Sequence, residues 1–203
     1  MNKIIPLITL LLLMPLTAHA QSVWQENIHY KIVAKEPSAK PQVKEVFSFW
    51  CPACYRFEVI AAEVKKSLPG NVSFIKAHVN FSGSASKEAQ NDATIAMLTA
   101  RAMKDSERFN KALFDSIHQE RKKIEDLADI KEVYVAAGGD GVKFEKITKS
   151  FGIKGQITKN NNATLGVKSV PTIIVNDKYQ AIFSRNMTPD QFVKLVAWLL
   201  KQK

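Results

Sequence analysis

The sequence predicts an α/β fold that carries an inserted all-helical block. Three observations predict it. A strand–helix–strand signal occupies residues 42 to 81. Residues 84 to about 165 then show helical spacing and no convincing strand. Two strand signals and a terminal helix close the chain.

The elements follow in order. Residues 21 to 42 are polar, contain Pro37 and Pro41, and read as an arm with a short strand near His29 to Val33. "QVKEVFSFW" (Gln42–Trp50) is β-branched and aromatic on both faces, the mark of a central buried strand. From Pro52 the period changes. Phe57, Ile60, Ala61 and Val64 fall at helical spacing, and Pro69-Gly70 ends the run. "NVSFIKAHVNF" (Asn71–Phe81) is a second strand, parallel to the first because a helix connects them. Ser86 caps the next helical pattern, "SERFNKALFDSIHQE" repeats it, and "EDLADIKEVYVAAGGD" stops at Gly138-Gly139. "GVKFEKITKSFG" and "IKGQITKNNNATLGV" read as shorter helices or turns. "PTIIVND" and "KYQAIFS" are strands joined by a tight turn at Asn176-Asp177. The last helix opens at Thr188-Pro189-Asp190, with Thr as cap and Pro in the first turn.

The N-terminus bears on compartment. "MNKIIPLITLLLLMPLTAHAQS" has an early lysine, an apolar core and Ala18-His19-Ala20, which together predict a signal peptide over residues 1–20. An uncleaved anchor is the other reading, but the apolar core is shorter than the roughly 20 residues a spanning helix needs. The chain has 29 Lys and Arg against 19 Asp and Glu, a formal net charge of +10. The excess is spread, with no dense basic tract interleaved with aromatics, which speaks against a nucleic-acid partner. Apolar residues are 46% of the chain, enough for a core without crosslinks.

The only cysteines are Cys51 and Cys54. Proline is favoured at the first helical position, so Cys51 is the N-cap or close to it. Unpaired amides and a positive macrodipole end gather there, which lowers a thiol's pKa. Cys54 lies one turn deeper on nearly the same face, within disulfide reach. An outer sulfur could then form a mixed disulfide and an inner one resolve it. Two other readings stand beside this. A purely structural disulfide would close almost the shortest possible loop, where the gain is least. A metal site would need ligands that two cysteines and the scattered His29, His78 and His118 do not supply.

The stretches "VKEVFSFWCPACYRFE", "KAHVNF" and "SVPTIIVNDKYQ" resemble the DsbA-type periplasmic thiol:disulfide oxidoreductases. The resemblance covers nearly all of the chain after the leader. It implies a thioredoxin-like fold, with a first part over residues 21–83, a helical insertion over 84–165 and a second part over 166–203. It implies a redox-active Cys51–Cys54 disulfide, no organic cofactor and no metal. The partners implied are exported cysteine-containing proteins and a quinone-linked membrane reoxidase of the DsbB kind, served by a monomer in the periplasm. A disulfide isomerase or reductant of the same fold is the enzyme alternative. A chaperone-like binder with a structural disulfide is the other.

The resemblance also singles out residues that tune the site or hold substrate. Pro52 and Ala53 lie between the cysteines, and the family's best-known members have His where this chain has Ala53. Pro171 is expected to be cis, exposing the backbone of Val170 to an extended substrate; a trans proline opening a strand is the plainer reading. The family's oxidases carry Val before this proline. Glu45 stands in an otherwise apolar strand, where an ionised carboxylate is costly unless paired. Lys76 on the neighbouring strand is its expected partner, and the family moves protons through such a pair. Alternatively both point to solvent at strand ends.

Overall fold

The computed structural model describes residues 24–81 and 83–202. The expected leader, residues 1–20, lies outside the described residues. In chain order the elements are β1 (Tyr30–Ile32), β2 (Gln42–Phe47), α1 (Pro52–Ser67), β3 (Ser73–His78), α2 (Lys87–Ala102), α3 (Ser106–His118), α4 (Leu127–Ala136), α5 (Gly141–Thr148), α6 (Phe151–Thr164), β4 (Thr172–Val175), β5 (Tyr179–Ala181) and α7 (Pro189–Leu199). The strands form one sheet in the order β1-β5-β4-β2-β3.

β2 and β3 pair in parallel, with Glu45 opposite Lys76, as a helical crossover requires. β4 runs antiparallel to β2, with Ile173 opposite Glu45. β4 and β5 form a hairpin whose turn residues, Asn176 and Asp177, have φ of 51° and 57°. Two left-handed turn residues give the twist a two-residue hairpin needs, and Asn and Asp tolerate it best. β1 completes the sheet against β5, so the polar arm before residue 42 is tied to the fold.

One face of the sheet buries Val43, Ile173, Val175 and Tyr179 against Phe57, Ala61 and Val64 of α1 and Phe192, Leu195, Val196 and Leu199 of α7. Thr188 caps α7 with a reciprocal capping box to Gln191. A second core lies where Phe47, Phe49, Trp50 and Cys54 meet the helices α2 to α6, around Met97, Phe109, Leu113, Phe114, Tyr134 and Phe144. Each large side chain fully buried there contributes about 1.5–3 kcal/mol. The cysteine pair therefore sits where the sheet meets the helical block.

Three elements differ from the sequence reading. β2 stops at Phe47, because Ser48 to Trp50 turn: the Ser48 hydroxyl accepts from the Trp50 amide at 3.2 Å and the Ser48 carbonyl from the Cys51 amide at 3.1 Å. β3 is shorter at both ends than Asn71–Phe81. α6 is one continuous helix of 14 residues, where the sequence reading left a shorter helix or turns open. Asn160 explains it. Its side chain accepts from the His78 amide at 3.0 Å and donates to the His78 carbonyl at 2.8 Å, so α6 is fastened to the open edge of β3.

Candidate active site

The turn at Ser48–Trp50 delivers Cys51 to the N-cap of α1, with extended backbone (φ −91°, ψ 110°) and Pro52 in the first turn. Its sulfur takes the place a capping oxygen usually holds: Sγ accepts from the Cys54 amide at 3.2 Å. Cys51 is half-buried and Cys54 fully buried, and both are free thiols in this structure. The Cys51 thiol is lowered to about 6. Hydrogen bonding from the Cys54 thiol is the largest cause, followed by the amides of Cys54 and Ala53 and the charge of Arg56, while burial opposes them. Cys54 moves the opposite way. Its hydrogen bond to Cys51 and its burial push it up, with the charges of Cys51 and Glu45 adding to the shift. One sulfur is thus a ready thiolate at neutral pH and the other holds its proton.

The loop before β4 closes the site. The Val170–Pro171 peptide bond is cis. The Val170 carbonyl lies 3.6 Å from Cys51 Sγ, so residues far apart in sequence meet at one sulfur. Pro52 and Ala53 are exposed on the first turn, where the Ala53 amide, not its side chain, acts on Cys51.

Glu45 and Lys76 do not point to solvent. Glu45 has no exposed surface, and Lys76 Nζ lies 2.7 Å from its Oε2. Lys76 also reaches Glu58 on α1 at 2.6 Å and lies over the Phe47 ring, 4.5 Å from its centroid. Burial raises the Glu45 pKa, and Lys76 opposes the rise. Burial works to lower Lys76, yet the two carboxylates outweigh it and its pKa is raised.

Glu58 was not singled out by the sequence. One signal was available: it falls four residues after Cys54, on the same side of α1. Arg56 was missed likewise. So was the brace on the other flank, where Tyr55 stacks on His118 at 5.0 Å and its hydroxyl donates to Asp115 at 3.0 Å. His118 Nε2 lies 2.7 Å from the Phe49 carbonyl and ties α3 to the turn that carries Cys51. Among the described residues no group of three or more His, Cys, Asp and Glu could hold a metal ion.

Residues 29–197 match the family model described as thioredoxin. With a cysteine pair at the first turn of α1, the molecule is a thioredoxin-fold thiol:disulfide oxidoreductase. The chain is 34% identical over 162 residues to the thiol:disulfide interchange protein DsbA of Escherichia coli K12, covering 77% of this chain and 76% of that protein. It is 32% identical over 185 residues to DsbA of Salmonella typhimurium, covering 86% and 87%. The crystal structure of the disulfide oxidoreductase DsbA from Proteus mirabilis superposes with a TM-score of 0.78 at 26% identity, covering 88% of this chain and 98% of that one. The chain belongs to the DsbA family.

Proposed function

We propose that this protein is a periplasmic dithiol oxidase, exported by a leader over residues 1–20 and acting on exported cysteine-containing proteins. A client thiolate attacks Cys51 Sγ of the Cys51–Cys54 disulfide. A client–Cys51 bond forms, and Cys54 leaves and takes up a proton. A second client thiolate then attacks the client sulfur of that mixed disulfide, and Cys51 leaves as a thiolate. The client loses two electrons and gains a disulfide; the enzyme is left as a dithiol. A quinone-linked membrane reoxidase of the DsbB kind restores it. The redox-active pair is the whole reacting group, without an added cofactor, in a monomer.

The observation that carries this reading is the Cys51 sulfur itself. It is partly exposed, accepts from the Cys54 amide, and has a pKa lowered to about 6, which makes it a good leaving group. The cis bond at Pro171 and the Val170 carbonyl beside Cys51 support a backbone edge for an extended client. A Proteus mirabilis DsbA variant is known with a non-covalently bound peptide, PWATCDS, and superposes here with a TM-score of 0.76. Glu45 and Lys76, with Glu58, are proposed to carry the proton that Cys54 gains, since the Glu45 charge acts on that thiol. Residues 21–83 and 166–203 form the catalytic thioredoxin-like parts, and 84–165 the inserted cover.

The test is to mix the oxidised protein with a reduced dicysteine peptide and follow peptide oxidation and mixed disulfides. Cys51→Ala should abolish both. Oxidation that persists in this variant refutes the assignment. The equilibrium of the pair with glutathione separates an oxidase from a reductant.

A further inference from the structure

The sheet face away from α1 and α7 is only partly covered. Register runs a straight row across it, one residue from each strand: Lys31, Gln180, Ile174, Lys44 and Ile75. α6 and the loop to β4 overhang the β3 side, leaving a groove of about 910 Å3. Its floor is partly apolar: half-buried Ile75 and Ala163 line it, Ala163 packed against the cluster of buried Ile174 and Ala77. Its rim is cationic: exposed Lys31, Lys159 and Lys168 line it. None of these three has an ion pair among the described residues.

Two further cations face the same space. Lys44 is buried and pairs with Asp177 at 2.8 Å. Asp177 is the one carboxylate of the lining among the described residues, and its other oxygen accepts from Gln42 at 2.6 Å. Arg101, at the end of α2, donates to the Lys76 carbonyl and has no carboxylate partner among the described residues. A guanidinium partly withdrawn from water without an anion lines the wall, its remaining donors open to a ligand.

We propose that this groove is a second binding site, for an extended acidic peptide segment. Carboxylates would meet the rim lysines and Arg101, and interspersed apolar side chains would rest on Ile75 and Ala163. Ser169 and Thr172, on either side of Val170 and Pro171, are among the lining residues. A segment seated in the groove would lie against the loop whose Val170 carbonyl is 3.6 Å from the Cys51 sulfur. Acidic stretches flanking a client's cysteine would thereby be favoured by tighter binding, without a change in the chemistry at Cys51.

The test uses the full protein and a labelled, cysteine-free peptide interspersing Glu with Leu, with fluorescence anisotropy as the readout. The peptide should bind, and binding should weaken as ionic strength rises from about 0.02 M to about 0.2 M, where the screening length falls below about 10 Å. The triple variant Lys31→Gln, Lys159→Gln, Lys168→Gln changes exposed side chains only. It should keep the parent Tm, oxidise a neutral dicysteine peptide at the parent rate, and bind the acidic peptide about tenfold more weakly. Cys51→Ser should bind it like the parent, so failure of the oxidase assignment leaves this result intact. Equal binding of the Gln-for-Glu peptide, parent affinity in the triple variant, or no binding at low salt overturns the proposal. So does preferential binding of inorganic polyphosphate or anionic vesicles, which would make the groove a site for another class of ligand.

Discussion

Lys76 holds Oε2 of Glu45 at 2.7 Å, while Oε1 of the same carboxylate is buried without a hydrogen-bond partner among the described residues. Glu45 therefore depends on one cation for its charge. Lys76→Met would leave a buried carboxylate beside Glu58. Removing one partner of a buried pair costs about 3–5 kcal/mol. The penalty has a pH sign. Burial holds the folded Glu45 pKa above its unfolded value, so the protonated form favours folding. Below pH 4.5 the carboxyl is protonated in both states and the variant should lose little from this site. As pH rises, the gap between parent and variant should widen. Urea unfolding at pH 4 and pH 7 checks this; an equal gap at both would show that Glu45 is not the source.

In the reduced protein, thiolate absorbance should rise with a midpoint near 6 from Cys51 alone, with Cys54 silent through pH 8. The linkage sign follows. A depressed folded pKa stabilises the reduced form fully above the unfolded thiol value, and the gain is lost as pH falls through about 6. The reduced protein should thus gain Tm relative to the oxidised one between pH 5 and pH 8. Two overlapping thiol titrations, or a flat difference in Tm, would contradict the hydrogen-bond arrangement.

Ala53 brings only its amide to Cys51. Ala53→His would add a donor or cation on the exposed first turn and should lower the Cys51 midpoint below about 6. It should also make the pair more oxidising, about 30 mV for each 1.4 kcal/mol by which the thiolate form is stabilised. Equilibration with glutathione measures the potential, and an unchanged value would mean the side chain does not reach the sulfur's field.

Much of this site was legible because local rules converge on it. A buried strand, two cysteines and a proline at a helix start specify the N-cap whatever packs around it. The Asn176-Asp177 turn and the Thr188 cap are local in the same sense. Glu58 and the unbroken length of α6 were not, since both depend on contacts across the fold. A glutamate on an amphipathic helix reads as solvated until Lys76 is placed beneath it. α6 carries Gly152, Gly155 and three consecutive asparagines, poor helix formers whose cost is offset by a contact to β3. The Gly138-Gly139 pair was half legible. Gly138 ends α4 with φ 86°, as a stop signal predicts, but Gly139 is there for space.

That space gives a stability test far from the cysteines. A Cβ on Gly139 would fall 2.3 Å from the ring of Tyr134, which is buried and donates to Asp105 at 2.7 Å. Neither ring nor backbone can yield without breaking that bond or opening the core. Gly139→Ala should cost about 1–3 kcal/mol by overpacking, or roughly 2–12 °C in Tm for a chain of this size. Tyr134→Phe in the same background should recover none of it, because the clash is with the ring and not the hydroxyl.

Asn160 carries the last prediction, because it joins the edge of the sheet to the helix that leads to Val170. Its amide meets both backbone groups of His78, which are buried with the residue. Asn160→Ala removes both partners at once, and an unsatisfied buried polar group costs about 1–3 kcal/mol. The loss should be local. α2 still packs on α6 through other side chains, and the His78 ring keeps Thr94 at 2.8 Å. The His78 amide should exchange with deuterium much faster than its neighbours Ile75 and Ala77, whose protection comes from the pairing of β2 with β3. The Cys51 midpoint should stay near 6, since its donors lie on α1. Asn160→Asp separates bond from shape. It keeps an acceptor for the His78 amide but presents a carboxylate to the His78 carbonyl, so it should be destabilised at pH 7 and partly recover near pH 4. Equal destabilisation at both pH values would show that Asn160 matters for packing alone and that the edge of β3 is held by something else.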